Sequence, residues 1–196
     1  MSRPDAGIDH HDTNQDGATP GTSGTIDFLF WLSQLACDPT AKRSANETLL
    51  SGPRPFGHFQ LESLLGTGTY GAVFRAVDME LDRAVALKVA WPAVLLDPEA
   101  SRRFVEEPKT VAALEHPGIV RVYDSGNIEM ARYIALELIE GPTLAEWAKS
   151  QDQVPVTVAL QVVQGVAEAI GYAHRHGIVH RDLKPSNILL RSIPSG

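Results

Sequence analysis

From Phe59 onward the chain follows two rhythms. Residues 59–66 and 71–78 alternate apolar and polar side chains, the period of a strand with one buried face. They flank Gly66-Thr-Gly68-Thr-Tyr-Gly71, so the spacing predicts two strands joined by a glycine-rich turn. Val85-Ala86-Leu87-Lys88-Val89, 119–123 and 133–138 read as further strands. Between them, 98–115 offer Phe104, Val111 and Leu114 to one helical face. The period then lengthens for good. Residues 143–150 predict a short helix, and 156–176 a long one whose Val158, Val162, Val166, Ala169, Ile170 and Ala173 form a broad apolar stripe. Pro185 interrupts any helix beyond it, and 188–190 read as a short buried strand.

The first 58 residues have neither rhythm. Residues 1–24 are rich in Gly, Asp, Thr and Ser, the composition of a disordered tail, and carry no secretory signal. Within them Asp12-Thr-Asn14-Gln-Asp16-Gly17 matches the first half of a calcium loop. Ser23 stands where that loop needs a bidentate Glu, so the stretch reads as tail, as does the pair His10-His11. Residues 25–36, Thr-Ile-Asp-Phe-Leu-Phe-Trp-Leu-Ser-Gln-Leu-Ala, are dense in apolar side chains but too few to span a bilayer. Their first reading is a short helix packed on the folded domain. A partner-docking segment comes second, and a membrane-surface contact third, because basic residues are scarce nearby. Residues 38–57 read as a polar linker ending in Gly-Pro-Arg-Pro, which sets a domain boundary between 58 and 59.

Composition narrows the classes. With 196 residues, 43% of them hydrophobic, the chain supports one domain plus this appendage. Its net charge of −7 argues against a nucleic-acid partner. Cys37 is the single cysteine, which excludes an intrachain disulfide and fits a reducing, cytoplasmic compartment.

The chemistry concentrates in 178–190, Ile-Val-His-Arg-Asp-Leu-Lys-Pro-Ser-Asn-Ile-Leu-Leu. Asp182, Lys184 and Asn187 place a carboxylate, an ammonium and an amide on one loop between a helix and a strand. Phosphoryl transfer from ATP uses such a set: a proton acceptor for the attacking hydroxyl, a cation on the moving phosphate, and a magnesium ligand. Lys88 sits on an otherwise apolar strand, which is costly unless the amine has a partner; the plain alternative is a lysine on an edge strand. His174, His176 and His180 have no Cys or carboxylate at metal-ligand spacing to complete a zinc site.

The string His180-Arg-Asp-Leu-Lys-Pro-Ser-Asn187 resembles the catalytic loop of eukaryotic-type protein kinases, H-R-D-L-x-x-x-N, in its serine/threonine form. Gly66-x-Gly68-x-x-Gly71-x-Val73 followed by Val85-Ala-Leu-Lys88 is similar to the same family's glycine-rich loop and strand lysine. Dinucleotide-binding folds share G-x-G-x-x-G but place a helix directly after it, where this chain has a strand. The resemblance implies an α+β fold with a small lobe of antiparallel sheet plus one helix over 59–140. An incomplete, mostly helical second lobe would occupy 141–196.

It further implies that Asp182 accepts the proton, Lys184 steadies the γ-phosphate and Asn187 binds Mg2+. Gly66, Gly68, Gly71 and Lys88 would hold the triphosphate of ATP, with Glu107 (or Glu106) positioning Lys88. Leu65, Val73, Ala86 and Leu189 would sandwich the adenine, Leu136 would guard the back of its pocket, and the backbone from Glu137 to Ile139 would form the hinge. The implied partner is a protein substrate with Ser/Thr hydroxyls; membrane attachment is not indicated. Two features depart from the pattern. Pro108 falls inside the helix bearing Glu107, predicting a kink or a restart there. The chain also stops just short of the expected Asp-Phe-Gly, which reads as truncation and raises the alternative of an inactive nucleotide-binding or interaction module.

Overall fold

A computed structural model describes Leu32, Gly52 and residues 54–191, without the side chains of Val105, Glu107, Pro108 and Lys109. The calcium-like stretch, His10-His11, Cys37, most of 25–36 and the linker up to Ser51 lie outside the described residues. From Arg54 the chain forms strands β1 (Arg54–Phe56), β2 (Phe59–Gly68), β3 (Gly71–Asp78) and β4 (Arg83–Ala90). Helices α1 (Pro92–Leu96) and α2 (Pro98–Val111) follow, then β5 (Val122–Ile128) and β6 (Ala131–Glu137). The six strands form one antiparallel sheet in the order β1-β2-β3-β4-β6-β5. The chain then turns helical, with α3 (Leu144–Lys149), α4 (Val156–Arg175) and a 3-10 turn at Pro185–Asn187.

Alternation in the sequence becomes a two-faced sheet. Phe74 pairs with Leu64 and Leu87, Leu87 with Ala135, and Val89 with Ala72 and Tyr133. Paired residues share a face, and these are all buried. Their neighbours Val73, Arg75, Ala86, Lys88 and Leu136 occupy the other face and are half-buried. Each large side chain fully removed from water in this core contributes about 1.5–3 kcal/mol.

The sheet is strongly coiled. Phe59 pairs with Asp78 near one corner, whereas Tyr133 pairs with Val89 towards the opposite one. Laid flat, they would be about 14 Å apart across the strands and about 20 Å along them. Their rings nonetheless lie 5.1 Å apart, edge to face, and Phe56 approaches Tyr133 at 6.2 Å. Gly57, at φ +58° in the β1–β2 turn, sits so close to the Ile128 side chain that a Cβ there would fall 2.6 Å from it. The two corners therefore meet over the fully buried face, making a half-barrel.

Several boundaries differ from expectation. β1 lies inside the predicted linker, where Pro55 hides an edge strand. The strand expected at 119–123 starts at Val122, because the Ile119 amide donates to the His116 carbonyl (3.0 Å) and makes 116–119 a turn. α2 runs unbroken through Pro108 and ends at Val111, so no restart is seen; Pro108 offers no amide to the Phe104 carbonyl. Its start follows local rules: Asp97 accepts from the amides of Glu99 (2.9 Å) and Ala100 (3.3 Å), with Pro98 in the first turn. α4 is long and apolar enough to suit a membrane span by length and composition. Its C-terminal half nevertheless packs on the protein, with Ala169 and Ala173 buried and Tyr172 stacked between His116 and His176.

Candidate active site

Two elements of the sheet region converge on Lys88. β4 lies between β3 and β6, so Lys88 is on an interior strand and the edge-lysine alternative fails. Its register partners are Val73 and Ile134 on the open face. α2 covers that face, with the Phe104 ring centroid 5.4 Å from the Lys88 Nζ. The cleft between them is lined by Tyr70, Lys88, Arg103, Phe104, Ile134 and Leu136, among others. Ala86 pairs directly with Leu136 and continues the same face towards the end of β6. Leu65, adjacent to the buried Leu64 on β2, is partly exposed.

The glycine-rich turn is a tight hairpin in which Gly68 pairs with Gly71, leaving Thr69 and Tyr70 at the tip. Its glycines differ. A Cβ on Gly71 would run into the Val89 carbonyl, so this glycine is demanded by β3–β4 packing. Gly66 has nothing within 4 Å of the position a Cβ would take, and Gly68 only the Gly71 carbonyl at 4.0 Å. That leaves backbone open to an incoming anion. Tyr70 from the turn and Arg103 from the helix both line the cleft, and Arg103 pairs with Glu99 one helical turn away. Of the two candidate partners for Lys88, Glu106 is an exposed side chain bonded to Arg102 (2.7 Å), while the Glu107 side chain lies outside the described residues.

β6 leads into the connection between the two parts. Glu137 uses its amide in a bond to the Arg121 carbonyl (2.9 Å), so that N–H is already engaged. Its carboxylate accepts from Arg191 (2.7 Å), which holds the carboxyl below the usual glutamate range. On the other side Arg75 donates to both Glu62 (2.8 Å) and Glu140 (3.0 Å). Ile139, between these pairs, is half-buried.

The loop at 180–187 is set up by the end of α4. Gly177 takes φ +76°, and the Ile178 amide donates to the Ala173 carbonyl (3.0 Å), closing the helix and redirecting the chain. Arg181 also adopts a left-handed φ of +61°, an uncommon conformation for a side-chain-bearing residue. Beyond it the three polar residues meet. Lys184 Nζ lies 2.9 Å from Asp182 Oδ2, and Asn187 Nδ2 donates to that oxygen (3.0 Å) and to the Asp182 carbonyl (2.8 Å). The Lys184 ammonium, then the Asn187 amide, hold the Asp182 carboxyl below the usual aspartate range. Asp182 is exposed and ionised at neutral pH.

The stretch expected as a buried strand at 188–190 is one isolated bridge, Leu189 to Thr143, and Leu189 is 44% exposed. The bonds Leu144 N–H to Ile188 O (2.7 Å) and Leu190 N–H to Pro142 O (2.9 Å) fix it beside α3, with its side chain left open. Among the described residues no group of His, Cys, Asp or Glu forms a metal cluster, and His176 Nδ1 is 2.9 Å from the Tyr172 carbonyl. Sequence reasoning missed Tyr70 and Arg103, since the motif treats the tip as a spacer, and Arg191, whose partner is 54 residues away.

The pattern of the family described as protein kinase domain matches residues 59–194. The serine/threonine-protein kinase PrkC of Bacillus subtilis is 38% identical over 142 residues, covering 72% of this chain and 22% of that protein. PknA of Mycobacterium tuberculosis is 39% identical over 139 residues, covering 68% and 32%. In structure, the kinase domain of PknI from Mycobacterium tuberculosis superposes with a TM-score of 0.62 at 33% identity, covering 71% of this chain and 57% of that one. The chain thus spans only part of each relative. With its half-barrel, glycine hairpin and polar loop in this order, it belongs to the protein kinase family, among the serine/threonine kinases of bacterial type.

Proposed function

We propose that these residues form the nucleotide-binding and catalytic portion of an enzyme that transfers the γ-phosphoryl group of ATP to serine or threonine hydroxyls of a protein substrate. The observation that carries this reading is the meeting of Asp182, Lys184 and Asn187 around one carboxylate oxygen. Asp182, ionised because Lys184 and Asn187 favour its charged form, takes the proton of the attacking hydroxyl. Lys184 leaves Asp182 for the γ-phosphate as that group enters, trading one anion for another. Lys88 and the open backbone at Gly66 and Gly68 hold the remaining phosphates, with Glu107 positioning the amine. Val73, Ala86, Leu65 and Leu189 supply an apolar sandwich for adenine next to the backbone of Glu137 and Ile139.

Asn187 spends its amide nitrogen on Asp182, which leaves its carbonyl oxygen as a donor for a hard cation. Mg2+ bound there would neutralise phosphate charge. The reducing, ATP-rich cytoplasm is the compartment this chemistry suits.

Asp182→Asn in the full-length gene product tests the assignment. The expected result is loss of phosphoryl transfer by at least about a thousandfold with the Kd for ATP within about threefold of wild type. Turnover at the wild-type rate would remove Asp182 from its role. ATP binding by the wild type without any transfer would favour a nucleotide-binding module instead.

A further inference from the structure

The face of the sheet opposite Lys88 is fully sealed. Leu61, Phe74, Val85, Leu87 and Val89 lie on it with 0% exposure, although α2 and the cleft occupy the other side. Part of the cover is the sheet's own coil, which brings Phe59 onto Tyr133. The buried cluster that contains these residues also takes in a residue from outside the sheet. Leu32 is helical, has 0% exposure and belongs to the same cluster, although it precedes β1 by 22 residues.

We propose that the apolar segment 25–36 docks across the back of the coiled sheet, with Leu32 as its anchor, so that the small lobe is completed by sequence preceding the kinase domain. The fit is chemical as well as positional. Residues 25–36 carry one charge, Asp27, among seven large apolar side chains, and the surface offered to them is aliphatic and aromatic. A leucine buried this fully is held by apolar transfer and by close packing, both of which a charged replacement forfeits. The segment is then a structural part of the lobe that carries Lys88, and it occupies a face that would otherwise attract a second chain.

Hydrogen exchange on the full chain at two protein concentrations tests this, using wild type, Leu32→Asp and Leu32→Met. In wild type the amides of 25–36 should be protected together with those of β4, equally at both concentrations. Leu32→Asp should abolish that protection, speed exchange in β3 and β4 by at least about tenfold, and lower Tm by about 10 °C. Leu32→Met should preserve both properties, since it conserves volume and polarity. Rapid wild-type exchange in 25–36, or Leu32→Asp with unchanged Tm and exchange, would overturn the proposal. Protection that vanishes on dilution would assign the cover to a second copy and overturn docking within one chain. Should Leu32→Asp fail to fold, the wild-type measurement decides alone.

Discussion

The strand-rich region, 54–137, and the helical region, 141–191, divide stability and chemistry between them. Among the described buried apolar residues, the second region contributes only Ala169 and Ala173, while the first holds Phe59, Phe74, Leu61 and Leu87. The polar loop tells the reverse story: every residue from Val179 to Asn187 is exposed. α4 even presents Val156, Leu160 and Val163 to solvent. The first region thus holds its shape by packing, and can keep an amine at a fixed place in a cleft. The second holds its shape by backbone bonds and charge contacts, and displays its polar groups to solvent.

Mutations can break or sharpen this contrast. The largest effect is expected in the core. Phe74→Ala should cost about 3–5 kcal/mol in urea unfolding, whereas Leu160→Ala on α4 should stay within about 0.5 kcal/mol. Comparable losses at the two sites would abolish the distinction. The glycine hairpin sharpens it within a single turn. Gly71→Ala should cost about 1–3 kcal/mol, because the methyl group meets the Val89 carbonyl. Gly66→Ala should leave Tm unchanged yet raise the Kd for ATP on the order of tenfold, since its space is open to ligand rather than to protein. An unchanged Kd would mean that phosphate does not approach there.

The smallest effect lies where the two regions join. Folding lowers the pKa of Glu137, chiefly through Arg191, so the pair stabilises the folded chain above the unfolded-state pKa. That contribution disappears as pH falls through the depressed folded-state value. Arg191→Ala should therefore cost about 0.5 kcal/mol at pH 7, discounted for the exposure of the arginine, and nothing measurable once Glu137 is protonated in both states. Urea unfolding across that range checks the sign; a deficit that grows on acidification would contradict it.

What was legible in the sequence follows from how local each signal is. β3 and β4 alternate strictly because one face is sealed and the other lines the cleft, and 180–187 announces its chemistry within eight residues. β5 did not read as a strand through Asp124-Ser-Gly-Asn127, since an edge strand needs apolar residues on one side only. There Asp124 accepts from the buried hydroxyl of Tyr133 (2.6 Å), and burial with this bond pushes the tyrosine pKa up. Partnerships between distant segments, Glu137 with Arg191 and Arg75 with Glu140, leave no local trace. The helical boundary at Val111 depended on a turn that Pro117 and Gly118 only suggest. Leu189 misled for a physical reason: an apolar run reads as core, yet this one is fixed beside α3 by backbone bonds with the Leu189 side chain left exposed.

The meeting of Gly57 with Ile128 also sets a schedule for synthesis. A ribosome delivers β1 to β4 well before the β5–β6 hairpin emerges, so the nascent meander carries an unsealed apolar stripe until Ile128 and Tyr133 arrive. Closure of the half-barrel is a long-range event, entropically slow compared with the hairpins that precede it. The interval between translating Leu87 and translating Tyr133 is therefore when this stripe is most open to aggregation.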